Sequence, residues 1–225
     1  MLSRKHKLIF LMPAKTASQS LREVLLDSSI VFDKIKSSPK IHLTLSEIMR
    51  EFSLTRQELE EYKIIQVVRD PYERFISAYF HQMKLLPPKV PNIKIRGMDI
   101  DTFADHLTKC IFKVNFLNCF YGNTDFIKRN IKEGKNWAGT RALMAQADWN
   151  DVGANVKHFK LENLSENGLD ELSDYIGLYL PEMPHKNKSN KEKTADLYSN
   201  PVLHNVEYIY DIDFQLFDYS IRQWI

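Results

Sequence analysis

Apolar positions along the chain follow two periods. Short continuous runs, KLIFLM at residues 7–12 and Ile64 to Val68, are the length of buried strands, and NVKHFKL at 155–161 is a later one. The first two lead directly into helical spacing. After the first, Ala17, Leu21, Val24 and Leu25 recur on one side, with Arg22, Glu23 and Asp27 on the other. After the second, Tyr72, Phe75, Ile76, Tyr79 and Met83 form an apolar stripe. Further along, the pattern predicts a short strand over Val31 to Ile35, a helix from Leu45, and mostly helix from Thr102 to Ala147. It also predicts a helix from Leu169 to Ile176, and a last one from Pro201 that turns Leu203, Val206, Ile209, Tyr210 and Phe217 inward. Leu86 to Asp101 holds three prolines and reads as a long surface loop. Strands alternating with helices predict an α/β fold with a parallel sheet.

Composition narrows the picture. With 225 residues, 44% hydrophobic, the chain suffices for one well-packed core, so a single domain over 1–225 is expected. A net charge of +2 provides no global basic field and argues against a nucleic-acid partner. Cys110 and Cys119 lie outside any CxxC or metal-ligand spacing, which predicts free thiols in a reducing compartment. The N-terminal apolar run, Leu8 to Met12, is too short for a signal peptide or membrane anchor. A cytoplasmic protein without a membrane span is the expectation.

Two stretches carry candidate chemistry. PAKTASQSL, residues 13–21, sits where the first strand gives way to a helix. The first helical turn has N–H groups without intrahelical partners and the positive end of the dipole, so it suits an anion such as phosphate. Lys15 stands at the rim, with Thr16, Ser18 and Ser20 beside it. The GxxxxGK[ST] pattern is absent, and the first of the 7 glycines is Gly97.

The second stretch is RDPYERFISAY, residues 69–79. Asp70 is a candidate cap, Pro71 suits the first helical position, and Glu73 completes a capping box. Arg69 then leaves the strand just ahead of the helix, while Ser77 follows about two turns in, roughly 10 Å along the axis. The planar fork of an arginine can grip a phosphate bidentately.

Together these motifs resemble the sulfotransferase superfamily that uses 3′-phosphoadenosine 5′-phosphosulfate (PAPS), most closely its carbohydrate-modifying branch. That family has a PKTGTTS-like loop for the 5′-phosphosulfate and an R(D/N)PxxRxxSxY segment for the 3′-phosphate. The resemblance implies a P-loop-like three-layer fold, helices flanking a central parallel sheet. It places Lys15, Thr16, Ala17, Ser18, Gln19 and Ser20 at the 5′ side, and Arg69 and Ser77 at the 3′-phosphate. It extends to LENL at 161–164, to the ending YIYDIDFQLFDYS, and to PHKNKS at 184–189. In the family the last of these closes over the nucleotide, which adds Lys186, Asn187, Lys188 and Ser189. The sequence departs from the family in the Ala14 between Pro13 and Lys15, and in Ala17, where glycine is common. The mid-chain His-x-x-Pro-Gln stretch of carbohydrate enzymes has no counterpart in VNFLNCFYGNTDF.

The implied activity is sulfuryl transfer from PAPS to the hydroxyl of a carbohydrate or other acceptor, leaving 3′,5′-adenosine bisphosphate. Such transfer needs alignment, a base, and positive charge on the departing oxygen, but no metal. Lys15 supplies the charge. His42, in KIHLTLSE between the two motifs, is the candidate base, with His81 on the helix after Ser77 as its rival. Three other readings remain at this stage. A P-loop kinase or NTPase would use the same nest with Mg²⁺. A metal-dependent glycosyltransferase would use the DID triplets at 99–101 and 211–213. A binding module would keep the phosphate sites without transfer.

Overall fold

A computed structural model of the chain describes residues 1–34, 42–85, 93–114, 116–122, 138–166, 168–184 and 197–223. These gather in two compact units, one of Met1–Asp70 with Gln146–Asn187, the other of Pro71–Ala145 with Lys188–Ile225.

The first unit contains a four-stranded sheet in the order β1 (Leu2–Ser3), β2 (Leu8–Leu11), β3 (Lys63–Val68), β4 (Val156–Lys160). β2, β3 and β4 are parallel, and β1 pairs with β2 antiparallel, Leu2 opposite Ile9. Successive side chains on a strand point to opposite faces, and here both faces are apolar. Leu8, Phe10, Ile65, Val67 and Phe159 pack with Leu21, Val24 and Leu25 of α1 (Ser18–Asp27). Leu172 and Ile176 of a later helix, Asp170–Ile176, join the same layer. On the opposite face, Ile9, Leu11, Ile64 and Val156 meet Leu45, Ile48 and Phe52 of α2 (Leu45–Phe52) and Leu59 of α3 (Arg56–Leu59). Helices thus cover both faces, the α/β arrangement with a parallel sheet that the strand–helix pattern predicts.

Val31 to Lys34 form no strand. They lie against β1 instead, the Ser3 hydroxyl donating to Val31 O and Asp33 N–H to Leu2 O. A two-residue β1 offers too short a ladder to turn that segment into a partner.

The second unit is helical among its described residues: α4 (Pro71–Leu85), α5 (Ile100–Cys110), α6 (Phe116–Tyr121), α7 (Ala138–Leu143), and, after α8 (Leu161–Glu166) and α9 (Asp170–Ile176) of the first unit, α10 (Asn200–Ile209) and α11 (Asp211–Leu216). Phe103 sits at its centre, edge-on to Tyr79 and Phe120 and tilted against Phe75, with ring centroids 5.2–5.8 Å apart. The single final helix expected from Pro201 is two, broken at Tyr210, whose hydroxyl donates to Leu143 O. Its inward residues are buried as the periodicity requires.

Two expectations need correction here. The end of the proline-rich segment is not a surface loop, because Ile95 is fully buried and Ile93 bridges Gly122. Residues 86–92 lie outside the described residues. The cysteines are not free thiols: a disulfide joins Cys110 at the end of α5 to Cys119 in α6. Two successive helices are thereby stapled through cysteines nine positions apart, and the cytoplasmic setting expected from free thiols loses that support. No described helix is long and apolar enough to cross a membrane.

Candidate active site

Parallel strands deliver their C-terminal ends to one edge, where ligands of open α/β sheets bind. In the first unit that edge receives PAKTASQSL after β2, Arg69 after β3 and α8 after β4. α1 begins at Ser18 with Ala17 as its N-cap, and Ala17 offers no side-chain hydrogen bond. Its first turn also holds no acidic residue. The other described helices of eight residues or more each have one or the other: Thr44 on α2, Glu73 in α4, Asp99 on α5, Ser199 on α10. The dipole of α1 is therefore left uncompensated by its own side chains.

Within the loop, roles divide. Thr16 is buried and its Oγ1 donates to Pro13 O at 2.8 Å, so this hydroxyl closes the turn and is committed to the backbone. The side chains of Ser18 and Ser20 make no hydrogen bond among the described residues, and Gln19 is exposed. Lys15 is half-buried. Lys15 (φ 73) and Ala17 (φ 53) adopt left-handed backbone, as does His42 (φ 64). Such conformations strain a residue with a Cβ and gather at ligand sites. Glycine would relax the Ala17 position at the cost of unfolded-chain entropy. We expect Ala17→Gly to stabilise the fold by about 0.5–1 kcal/mol, read from the urea midpoint. An unchanged or lower midpoint would mean the turn is unstrained.

His42 comes to the same loop. Its Nδ1 lies 2.7 Å from Met12 O. A carbonyl only accepts, so Nδ1 bears the proton and the lone pair of the neutral ring is on Nε2. Trp149, fully buried, meets the imidazole edge-on at 6.1 Å. His158, on β4, has its pKa lowered by burial and then by Lys157.

Arg69 Nη1 donates to Lys15 O at 3.3 Å, which brings the second motif against the first. Its backbone is gripped on both sides by the Gln146 amide: Arg69 N–H donates to Oε1 and Nε2 donates to Arg69 O, each at 2.8 Å. Asp70 N–H donates to Glu162 Oε1 of the LENL segment at 2.9 Å. Glu73, expected to reach back in a capping box, accepts from the Tyr198 hydroxyl and lies 3.5 Å from Arg222 Nη2.

Ser77 belongs to α4 in the second unit, half-buried and without a side-chain hydrogen bond among the described residues. His81 lies farther along α4 and is also half-buried. Lys186, Asn187, Lys188 and Ser189 lie outside the described residues. Three aspartates of the DID triplets accept hydrogen bonds within the fold. Asp99 caps α5 through Thr102, Asp101 accepts from Ser199, and Asp211 accepts from Gln215.

A model of the Sulfotransferase family matches residues 1–220. The chain belongs to the sulfotransferase family. Among solved structures, a sulfotransferase from Alicyclobacillus acidocaldarius is similar at 15% identity and a TM-score of 0.40, with 95% of this chain and 98% of that chain covered. No curated protein matches the chain.

The candidate site includes residues that motif reading passes over. Gln146 sits in a stretch without a motif, and only the fold brings it to Arg69. Gln66 left a trace, as the one polar side chain inside IIQVV. It is fully buried and its Nε2 donates to Gln146 O at 2.7 Å. Arg74, the second arginine of RDPYERFISAY, is also buried. Its Nη2 donates to Met144 O at 2.6 Å and the guanidinium lies 5.6 Å from the Tyr210 ring centroid. Burial pushes the Tyr210 hydroxyl up to about 12, with Arg74 pulling the other way. Arg74 therefore organises the helical unit. Asp151 does the same for α2: burial alone would raise its pKa, but hydrogen bonds from Ser46 and Thr44 hold the carboxyl below its usual range.

Proposed function

We propose that this family member transfers a sulfuryl group from PAPS to a hydroxyl of a carbohydrate or glycoconjugate, and that residues 1–225 act as a single sulfotransferase domain. The observation that carries the reading is the pairing of an uncapped, acid-free α1 N-terminus with Arg69, whose guanidinium bonds to the backbone of Lys15. One end suits a 5′-phosphosulfate, and the arginine suits a second phosphate on the same nucleotide. That donor set fits a nucleotide with two anionic ends.

The donor supplies an activated sulfur already bonded to a good leaving oxygen. The backbone N–H groups of the first turn and the Ser18 and Ser20 hydroxyls orient the 5′ end, joined by Gln19 at the exposed edge. Lys15 neutralises charge on the departing phosphate oxygen. Arg69 holds the 3′-phosphate, with Ser77 the second group that the resemblance assigns to it. The acceptor oxygen bonds to sulfur as the bond from sulfur to the bridging phosphate oxygen breaks, and His42 Nε2 takes the hydroxyl proton. None of these steps calls on a metal. Incubating the protein with PAPS and a panel of glycosides in EDTA should release 3′,5′-adenosine bisphosphate together with a sulfated product. Activity that requires ATP and Mg²⁺ instead would replace sulfuryl with phosphoryl transfer.

A further inference from the structure

We propose that Gln146 is the positioning residue for Arg69, and that its amide makes the site selective for a nucleotide carrying a 3′-phosphate. This rests on the donor reading given above. The β3–β4 ladder ends with Val68 opposite Lys160, after which the β4 chain turns into α8. Arg69, the residue immediately after β3, thus lies just past the end of the β4 ladder. A backbone N–H and C=O released from a ladder need new partners or they wander.

The Gln146 side chain provides both. Its Oε1 accepts from Arg69 N–H and its Nε2 donates to Arg69 O, both at 2.8 Å, imitating the strand neighbour that β4 no longer provides. A primary amide suits this because it offers an acceptor and a donor side by side. An ionised carboxylate would set a negative oxygen against the Arg69 carbonyl, and asparagine is one methylene shorter. Gln146 is fully buried, and its own carbonyl accepts from the buried Gln66 Nε2 at 2.7 Å, so the clamp is anchored to β3 as well. The long Arg69 side chain therefore starts from a fixed backbone and reaches Lys15 O at 3.3 Å. Pre-setting a binding group in this way reduces the ordering cost on binding and preserves alignment.

The clamp acts on the Arg69 backbone, so its expected signature is selective. In EDTA, titration calorimetry on the full chain would give dissociation constants for 3′,5′-adenosine bisphosphate and for adenosine 5′-phosphate. We expect the wild-type protein to favour the bisphosphate by at least about tenfold. In Gln146→Ala that preference should shrink by about tenfold while adenosine 5′-phosphate binds within about twofold of wild type. If the alanine variant fails to fold, Gln146→Met fills the same space without the two hydrogen bonds and takes its place. A wild-type protein indifferent to the 3′-phosphate would overturn the donor reading and the inference together. A variant that keeps the full preference, or weakens both ligands equally, would overturn the inference alone.

Discussion

Replacing His42 by alanine is expected to lower turnover by about 10²–10⁴ while leaving 3′,5′-adenosine bisphosphate affinity within about twofold. The split follows from the geometry. The Nδ1–H of His42 donates to Met12 O at 2.7 Å, which orients the ring and puts the lone pair of the neutral imidazole on Nε2, the atom proposed as base. Trp149 holds the ring edge-on at 6.1 Å, so the imidazole is braced as well as tethered. A base removes a proton only as the new bond forms, and its loss therefore appears in kcat. His81, the rival from sequence, belongs to α4 in the second unit. Its alanine variant is the natural control. Turnover retained in His42→Ala and lost in His81→Ala would move the role to His81.

The second large effect is expected at Arg69. Each hydrogen bond from a charged donor contributes about 1.5–3 kcal/mol when well placed. Arg69→Ala should then weaken 3′,5′-adenosine bisphosphate by about 10² or more, since each 1.4 kcal/mol is roughly tenfold. Adenosine 5′-phosphate, which lacks the 3′-phosphate proposed for this arginine, should lose little. Lysine should restore only part of the affinity, because a point charge cannot reproduce a bidentate fork. Equal losses for the two nucleotides in Arg69→Ala would place the arginine elsewhere in the site.

What the sequence made legible follows the reach of local rules. The apolar runs at Leu8 and Ile64 are buried on both faces of a sheet, and such strands announce themselves without alternation. The start of α1 was readable because strand, turn and helix are contiguous. The Leu2–Ser3 strand was not, since two residues carry no period. Val31 to Ile35 has strand-like residues, yet the strand it would have joined is too short to pair with. The disulfide escaped because two cysteines with no motif carry no information about which helices fold together. The same limit hid the clamp. Gln146 is 77 positions from Arg69, and only the crossover between β3 and β4 brings them together. Thr16 shows the reverse case, a polar residue inside the motif whose hydroxyl the fold keeps for Pro13 O. Motif reading thus nominates a site, while tertiary structure decides which side chains are already committed within the fold.

The central claim is that the edge formed by PAKTASQSL and Arg69 receives a nucleotide with a 3′-phosphate and needs no metal to do so. The most direct measurement is thermal unfolding in EDTA, with and without 3′,5′-adenosine bisphosphate, on the wild-type chain and on Arg69→Ala. Ligand at 100 times its dissociation constant adds about 2.7 kcal/mol, a rise of roughly 5–10 °C for a chain of this size. The account predicts that rise for the wild type and its loss in Arg69→Ala. No rise with the bisphosphate, but one with ATP and Mg²⁺, would contradict it and make the α1 nest a nucleoside-triphosphate site.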